Sequence, residues 1–455
     1  MRDYEKYPTE LFCYSTGGFI ASGATGFAAD SAKEKKDPFT REAEKGNEPG
    51  QVEEGVANVV LDFQLIEVPQ KEVFKWEREG LNWSVWHDNA NALIDGGDAK
   101  ILVSTSKVAR SGQRSEVASQ LRLAYPTESD VLDIDPKGPL FPAVFEYRKL
   151  GLILMTDPVL MKGEENLNMS YMLEWSGYDG ENIEGRTASD RVQDTDVISP
   201  KFRVNKVSNS VDLEIGAYRM LTQFKGGDEG NVVLVFSRFD LVTAAPLEDK
   251  KKMADVEGIQ VRASWVDMPA DMWHDWLRRG SLSALFGGEA WDRVSEQIEK
   301  GDKAKILASP TLLAPSGQRA KVEMTSEVVI SFRDFEPPTV LGGVSDTKGT
   351  ETENIGATFE VDPILGMNGI IELNFASTSS SLCGSTVSYR REENGKWVPS
   401  VSHLKIFEDR ITTQVALDEG LKLLTAVMTP SNEDGSLDYT RKILFFVSNE
   451  TIQAP

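Results

Sequence analysis

Through most of this chain hydrophobic and polar residues alternate every second position, the period of a half-buried β-strand. The run "VVLDFQLIEV" (59–68) is β-branched and alternating, and Pro69 ends it because proline cannot donate to a sheet ladder. The period then changes. "QKEVFKWERE" (70–79) and "DMWHDWLRR" (271–279) carry apolar residues three and four apart, which predicts short helices. "EAWDRVSEQIEKG" (289–301) predicts a second helix, with Trp291, Val294 and Ile298 on one face and Gly301 as its stop. The matching stretch "DNANALIDGG" (88–97) predicts a shorter one. "IGATFEVDP" (355–363) alternates again, and "IIELNF" (370–375) pairs with it across the turn "ILGMNG". "KILFFV" (442–447) is a continuous apolar run and should be buried. The fold class is therefore α+β, mostly antiparallel β.

The pattern occurs twice. "AKILVSTSKVARSGQRSEV" (99–117) runs parallel to "AKILASPTLLAPSGQRAKV" (304–322) without a gap. Pro69 and Trp76 recur as Pro269 and Trp276. Gly112 and Gln113 recur as Gly317 and Gln318, and Gly151 and Pro158 as Gly356 and Pro363. Such self-similarity is the mark of a repeated structural unit. It divides the chain into a polar tail at 1–57, a first repeat at 58–246, a linker at 247–257 and a second repeat at 258–455. The tail holds the mildly apolar "LFCYSTGGFIASGATGFAAD" (11–30), which reads as a weak secretory signal or a linker. Each repeat opens with a strand and one or two short helices. The "SG" steps at Ser111–Gly112 and Ser316–Gly317 predict turns, since glycine takes positive φ without cost.

Charge narrows the partners. The chain has 455 residues and a formal net charge of −23, which repels a phosphate backbone and an anionic membrane surface. No nucleic acid is expected. No apolar run reaches the 18 or so residues of a spanning helix, so membrane contact is expected only through β-strands or partners. Two cysteines, Cys13 and Cys383, are too few for a disulfide framework or a four-ligand zinc site.

Reaction chemistry has little to stand on. His87, His274 and His403 lie in no metal-ligand spacing. His274, between Trp273 and Trp276, could frame a ligand platform, but an amphipathic helix packing its tryptophans is the plainer reading. Asp130, Asp133 and Asp135 lack the spacing of a calcium loop and read as a solvated strand face. Asp157 and Asp362 each precede a proline and read as strand-ending rather than as an acid–base pair. Arg114 and Arg319 follow the repeated turns. The glycine-rich stretch at 17–26 lacks the lysine of a phosphate loop. The expectation is no catalytic residue, no cofactor and no metal.

The order of segments resembles the secretin family, the outer-membrane channel subunits of bacterial type II and type III secretion and type IV pilus systems. "DFQLIEVP" and "ASWVDMP" are similar to the family's opening strand. "IEKGDKAKILASPTLLAPSGQRAKVEM" is similar to its helix, strand and "GQ" turn, and "IGATFEVDPILGMNGIIELNF" to its glycine-led strand and hairpin. The resemblance implies a non-enzymatic structural subunit or accessory of an envelope secretion or pilus assembly, placed in the periplasm or outer membrane. It implies self-association or contact with other secretion components. The alternative is a soluble envelope binding protein that reuses the fold without a pore.

Overall fold

Alternating runs become long strands, and the period changes become helices where expected. The computed structural model describes residues 56–453 apart from 131–140, 162, 164, 187–194, 228–229, 246–255, 302, 337–345, 367–368, 394–395 and 433–435. The tail up to residue 55, most of the expected linker, and Asp133 and Asp135 lie outside the described residues.

The chain runs β1 (Val56–Pro69), α1 (Gln70–Glu79), α2 (Trp83–Gly96), β2 (Lys100–Arg110), β3 (Ser115–Asp130) and β4 (Phe141–Leu160). It continues through β5 (Asn166–Arg186), β6 (Thr195–Glu214), β7 (Arg219–Lys225) and β8 (Asn231–Ala244). Next come β9 (Val256–Pro269), α3 (Ala270–Arg279), α4 (Ala290–Glu299), β10 (Lys305–Ala308), β11 (Thr311–Ala314) and β12 (Ala320–Glu336). Last are β13 (Asp346–Leu365), β14 (Ile371–Glu393), β15 (Lys396–Leu417), β16 (Leu423–Met428) and β17 (Arg441–Gln453).

Pro69 and Pro269 act alike. Each sits at the head of a helix with φ −62°. The next amide donates to a neighbouring loop, Gln70 to the Gly230 carbonyl and Ala270 to that of Thr440, both at 2.8 Å. The helices that follow bury Trp76 in α1 and Trp273 and Trp276 in α3. One expectation is corrected. The first half's second helix, α2, has 14 residues and is longer than α4, which has 10. The side chain of Asn82 accepts from the Val85 amide at 2.9 Å, and that cap starts the helix at Trp83, ahead of the stretch read as helical.

The strands form two antiparallel sheets. One has the order β10-β9-β17-β16-β2-β1-β8-β7, with β11 also on β9. The other has the order β12-β13-β14-β15-β3-β4-β5-β6. Within each sheet the strands after residue 255 occupy one side and those before 245 the other. The strand order on the two sides reads alike. The junction, called the seam below, is β16 against β2 in one sheet and β15 against β3 in the other. At the far end of β12, Asp334 also meets Val144 of β4. The core lies where the sheets face each other. There Trp265, wholly buried, donates its indole N–H to the Ser377 hydroxyl at 3.0 Å and packs on Phe445 at 4.6 Å between ring centroids. The run 442–447 is buried throughout, as its apolarity predicts. The expected hairpin across 366–369 closes with Leu365 opposite Ile371.

Candidate assembly edges

The twelve repeated motif residues fall into four recurring local structures. Pro69 and Pro269 head helices, and Trp76 and Trp276 bury those helices, as above. At the turns, Gly112 (φ 73°) and Gly317 (φ 76°) donate their amides to the carbonyls of Pro158 and Pro363, at 2.6 and 2.7 Å. The amides of Gln113 and Gln318 close the same turns onto Arg110 and Pro315, both at 3.1 Å. The hydroxyls of Ser111 and Ser316 accept from Leu160 and Leu365, both at 2.9 Å.

Gly151 and Gly356 hold the tightest geometry. Their φ values are 131° and 143°, and a Cβ at either would stand 2.2 Å from a backbone carbonyl oxygen, Ser119's or Met324's. Ser176 and Ser380 back-bond the two glycines in the same way. Asp157 and Asp362, expected to end strands, lie within β4 and β13, which run three residues further. The prolines after them are tolerated there because their carbonyls face the turn glycines.

The three histidines sit in separate places, on α2, α3 and β15. His87 is buried, stacks on Tyr218 at 3.6 Å and bonds Gln64 at 3.0 Å; burial, then the nearby Arg238, pushes it down to about 4. His274 is pushed down to about 3 and His403 to about 4, in both cases chiefly by burial. The three stay neutral at ordinary pH. Among the described residues no cluster of three or more histidines, cysteines or acids is arranged to hold a metal.

The seam carries polar chemistry that sequence reading missed. Asn58 bonds the Ala416 backbone twice, donating to its carbonyl and accepting from its amide, both at 2.8 Å. Thr105 donates to Val427 (2.7 Å) and Thr413 to Val108 (2.6 Å). The ammonium of Lys442, wholly buried and pushed down to about 7 by that burial, donates to the Ser104 carbonyl at 2.8 Å. Arg410 pairs with Glu116, and Lys149 with Glu408. Polar residues inside apolar strand runs, such as the "STSK" of 104–107, were the available signal. Asn58→Ala leaves a buried amide and carbonyl of Ala416 without their partner, and should cost about 2 kcal/mol in urea unfolding.

Asp409 adds pH dependence to this junction. Its carboxylate accepts from Ser119 at 2.5 Å, and burial, opposed by that bond, raises its pKa to about 7. The unfolded chain releases this proton near pH 4, the folded chain near pH 7. Between those values the native state holds more protons, so stability falls as pH rises across the window. Asp409 keeps part of its surface open to a cavity, which discounts the effect to about 2 kcal/mol. Asp409→Asn should flatten the pH 4–7 stability profile relative to the parent, measured by denaturant titration at stepped pH.

Residues 297–426, from α4 into β16, match the family model of the secretins, described as bacterial type II and III secretion system protein. The match covers under a third of the chain. Three solved structures illustrate the wider similarity. The secretin-domain β-barrel of InvG from the Salmonella SPI-1 injectisome is 11% identical, with 62% of this chain and 89% of that one aligned at a TM-score of 0.24. The type II secretin GspD of enteropathogenic Escherichia coli is 7% identical over 88% of this chain and 70% of its own, at 0.21. The type IV competence pilus secretin PilQ of V. cholerae is 10% identical over 87% of this chain and 61% of its own, at 0.21. No curated protein matches the chain.

Proposed function

We propose that this chain is a non-enzymatic structural subunit or accessory of a bacterial envelope secretion or pilus assembly, built from two diverged secretin-like repeats. The repeats cover 58–246 and 258–455; β1 and β9 begin at Val56 and Val256, two residues ahead of those bounds. The observation that carries the reading is the strand order. Along the main path of each sheet four strands of one half, then four of the other, follow the same sequence and meet edge to edge, with β11 an extra strand on β9. The match of residues 297–426 to the secretin family model supports the envelope role. An open sheet edge is a template for another strand, and a secretin-like unit uses that template for assembly.

The repeated motifs act here as turn and packing devices that shape edges. They place no nucleophile beside a base. Fractionation of cells producing the full chain, with negative-stain microscopy of the purified protein, tests the proposal. Envelope-associated oligomers support it. A monodisperse monomer free of the envelope overturns it in favour of a binding protein that reuses the fold.

A further inference from the structure

One rung of the second sheet crosses both halves and changes character on the way. Strand pairing sets Met324, Ala357, Ser379 and Asp409 in line, followed by Ser119, Leu152, Trp175 and Asn205. Residues directly opposite one another across strands share a face of the sheet. The repeat matches the two sets: Leu152, Trp175 and Asn205 stand in the first half where the second has Ala357, Ser379 and Asp409. The exchange removes most of two large side chains and turns an amide into an acid.

The cavities along this rung differ accordingly. Trp175 and Asn205 line one of about 190 Å³, which Leu437 and Tyr439 also line. Ala357, Ser379 and Asp409 line one of about 650 Å³ in the second half.

The larger cavity holds an unmatched acid. Asp267, Asp409 and Asp438 line it, with Arg441 as the one cation among the described residues there. Arg441 donates to Asp267 through two nitrogens, Nε at 2.7 Å. Asp438 accepts from the amide and the hydroxyl of Thr440, at 2.9 and 2.6 Å. Asp409 accepts only from the Ser119 hydroxyl, on Oδ1; among the described residues Oδ2 meets no donor. The cations nearest in the ladder are engaged elsewhere, Lys149 with Glu408 and Arg410 with Glu116.

Ser431 is an independent sign. It lines the same cavity, is 5% exposed, and its hydroxyl has no hydrogen-bond partner. A buried polar group in that state costs stability until something bonds it. Leu307, Met324, Phe407 and Ile443 give the cavity apolar surface. A few polar groups converging in a partly apolar hollow is the build of a small-molecule site.

We infer that this cavity binds an alkylammonium group, an aliphatic stem ending in a primary amine. The ammonium donates to Asp409 and Ser431, and the stem lies against the apolar lining. An anion would meet three carboxylates. A metal ion fits less well, because among the described residues no three acids, histidines or cysteines converge. The site needs only this fold, whatever assembly the chain joins.

Binding is linked to pH. Burial, opposed by the Ser119 bond and helped by Asp267 and Glu408, raises the Asp409 carboxyl to about 7. Below that pH the acid must lose a proton to hold the ammonium, which stays charged throughout. Affinity therefore rises as pH rises through that value.

Titration calorimetry on the full-length chain tests this with n-butylammonium chloride. Tetramethylammonium chloride and n-butanol are the controls for charge alone and stem alone. Saturable binding of butylammonium, at least tenfold tighter than either control, is the expected result. No saturable binding, or equal binding of tetramethylammonium, overturns the inference. Parent affinity should fall about tenfold or more between about pH 8 and pH 5.5, and an affinity independent of pH overturns the role of Asp409. Asp409→Asn, which copies the amide at Asn205, should weaken binding at least tenfold. Ser379→Trp refills the cavity as Trp175 does in the first half, and should abolish binding. Circular dichroism checks that both variants fold; if neither does, the pH series on the parent decides. Glu79→Gln, at the exposed end of α1, removes the same charge elsewhere and should change nothing. Equal loss in Asp409→Asn and Glu79→Gln overturns the inference, as does full binding by a folded Ser379→Trp variant. Spermidine and a blocked Gly-Lys-Gly peptide separate the sources. Tighter binding of spermidine assigns the site to free polyamines, tighter binding of the peptide to a lysine side chain, and either order upholds the ammonium chemistry.

Discussion

Replacing Gly151 with valine should leave no stably folded protein at 37 °C, and Gly356→Val should do the same. A Cβ at either site meets a carbonyl oxygen at 2.2 Å and a neighbouring Cα at about 3 Å. Both obstacles are backbone of an adjoining strand, so no side chain can turn away. The positive φ adds strain for any residue with a Cβ, and most for a β-branched one. Together they should cost about 4 kcal/mol or more, a large part of a typical domain's stability. Thermal unfolding followed by far-ultraviolet circular dichroism gives the answer. Two variants 205 positions apart should behave alike, because Ser176 and Ser380 hold the two glycines in the same way. A tolerated Gly356→Val beside a lethal Gly151→Val would show that the halves do not share this geometry.

The next largest effect is expected from Trp265→Ala. The indole is wholly buried between the sheets, packs on Phe445 and spends its N–H on Ser377. Removing it opens a large cavity and takes away the donor to the Ser377 hydroxyl, which still donates to the Thr358 carbonyl at 2.8 Å. The expected loss is about 3–5 kcal/mol, read from the urea midpoint at constant slope. Trp265→Phe should recover more than half of it, since most of the lost volume returns without the hydrogen bond.

Much of this architecture was legible in the chain. The strand and helix at 59–79, the turn glycines at 112 and 317, and the hairpin at 364–371 follow from local period and from residues with special backbone needs. The extent of α2 was not legible, because the helix rests on the cap at Asn82 and on burial of Trp86 and Ala90 against strands far away in sequence. The role of Asp157 and Asp362 was misread for a similar reason. A proline usually marks a strand end, but here the turn glycine needs its carbonyl, and the strand continues. The seam was invisible for a stronger reason. Its bonds join residues about 300 positions apart, such as Thr413 to Val108 and Thr105 to Val427. Polar residues inside an apolar run, such as 104–107, hint at burial, but no local pattern names the distant partner they bond.

Both sheets cross the seam, and in each the strands on its two sides are antiparallel neighbours. A force along the strands therefore loads many hydrogen bonds in parallel, and slipping by even two residues would drag Asn58 off Ala416 and Lys442 off Ser104 at once. Peeling the sheets apart sideways would load the same bonds one after another. The joint between the halves is stiff in shear and soft in peel, so tension applied across it should open the ladders from one end before it slides them.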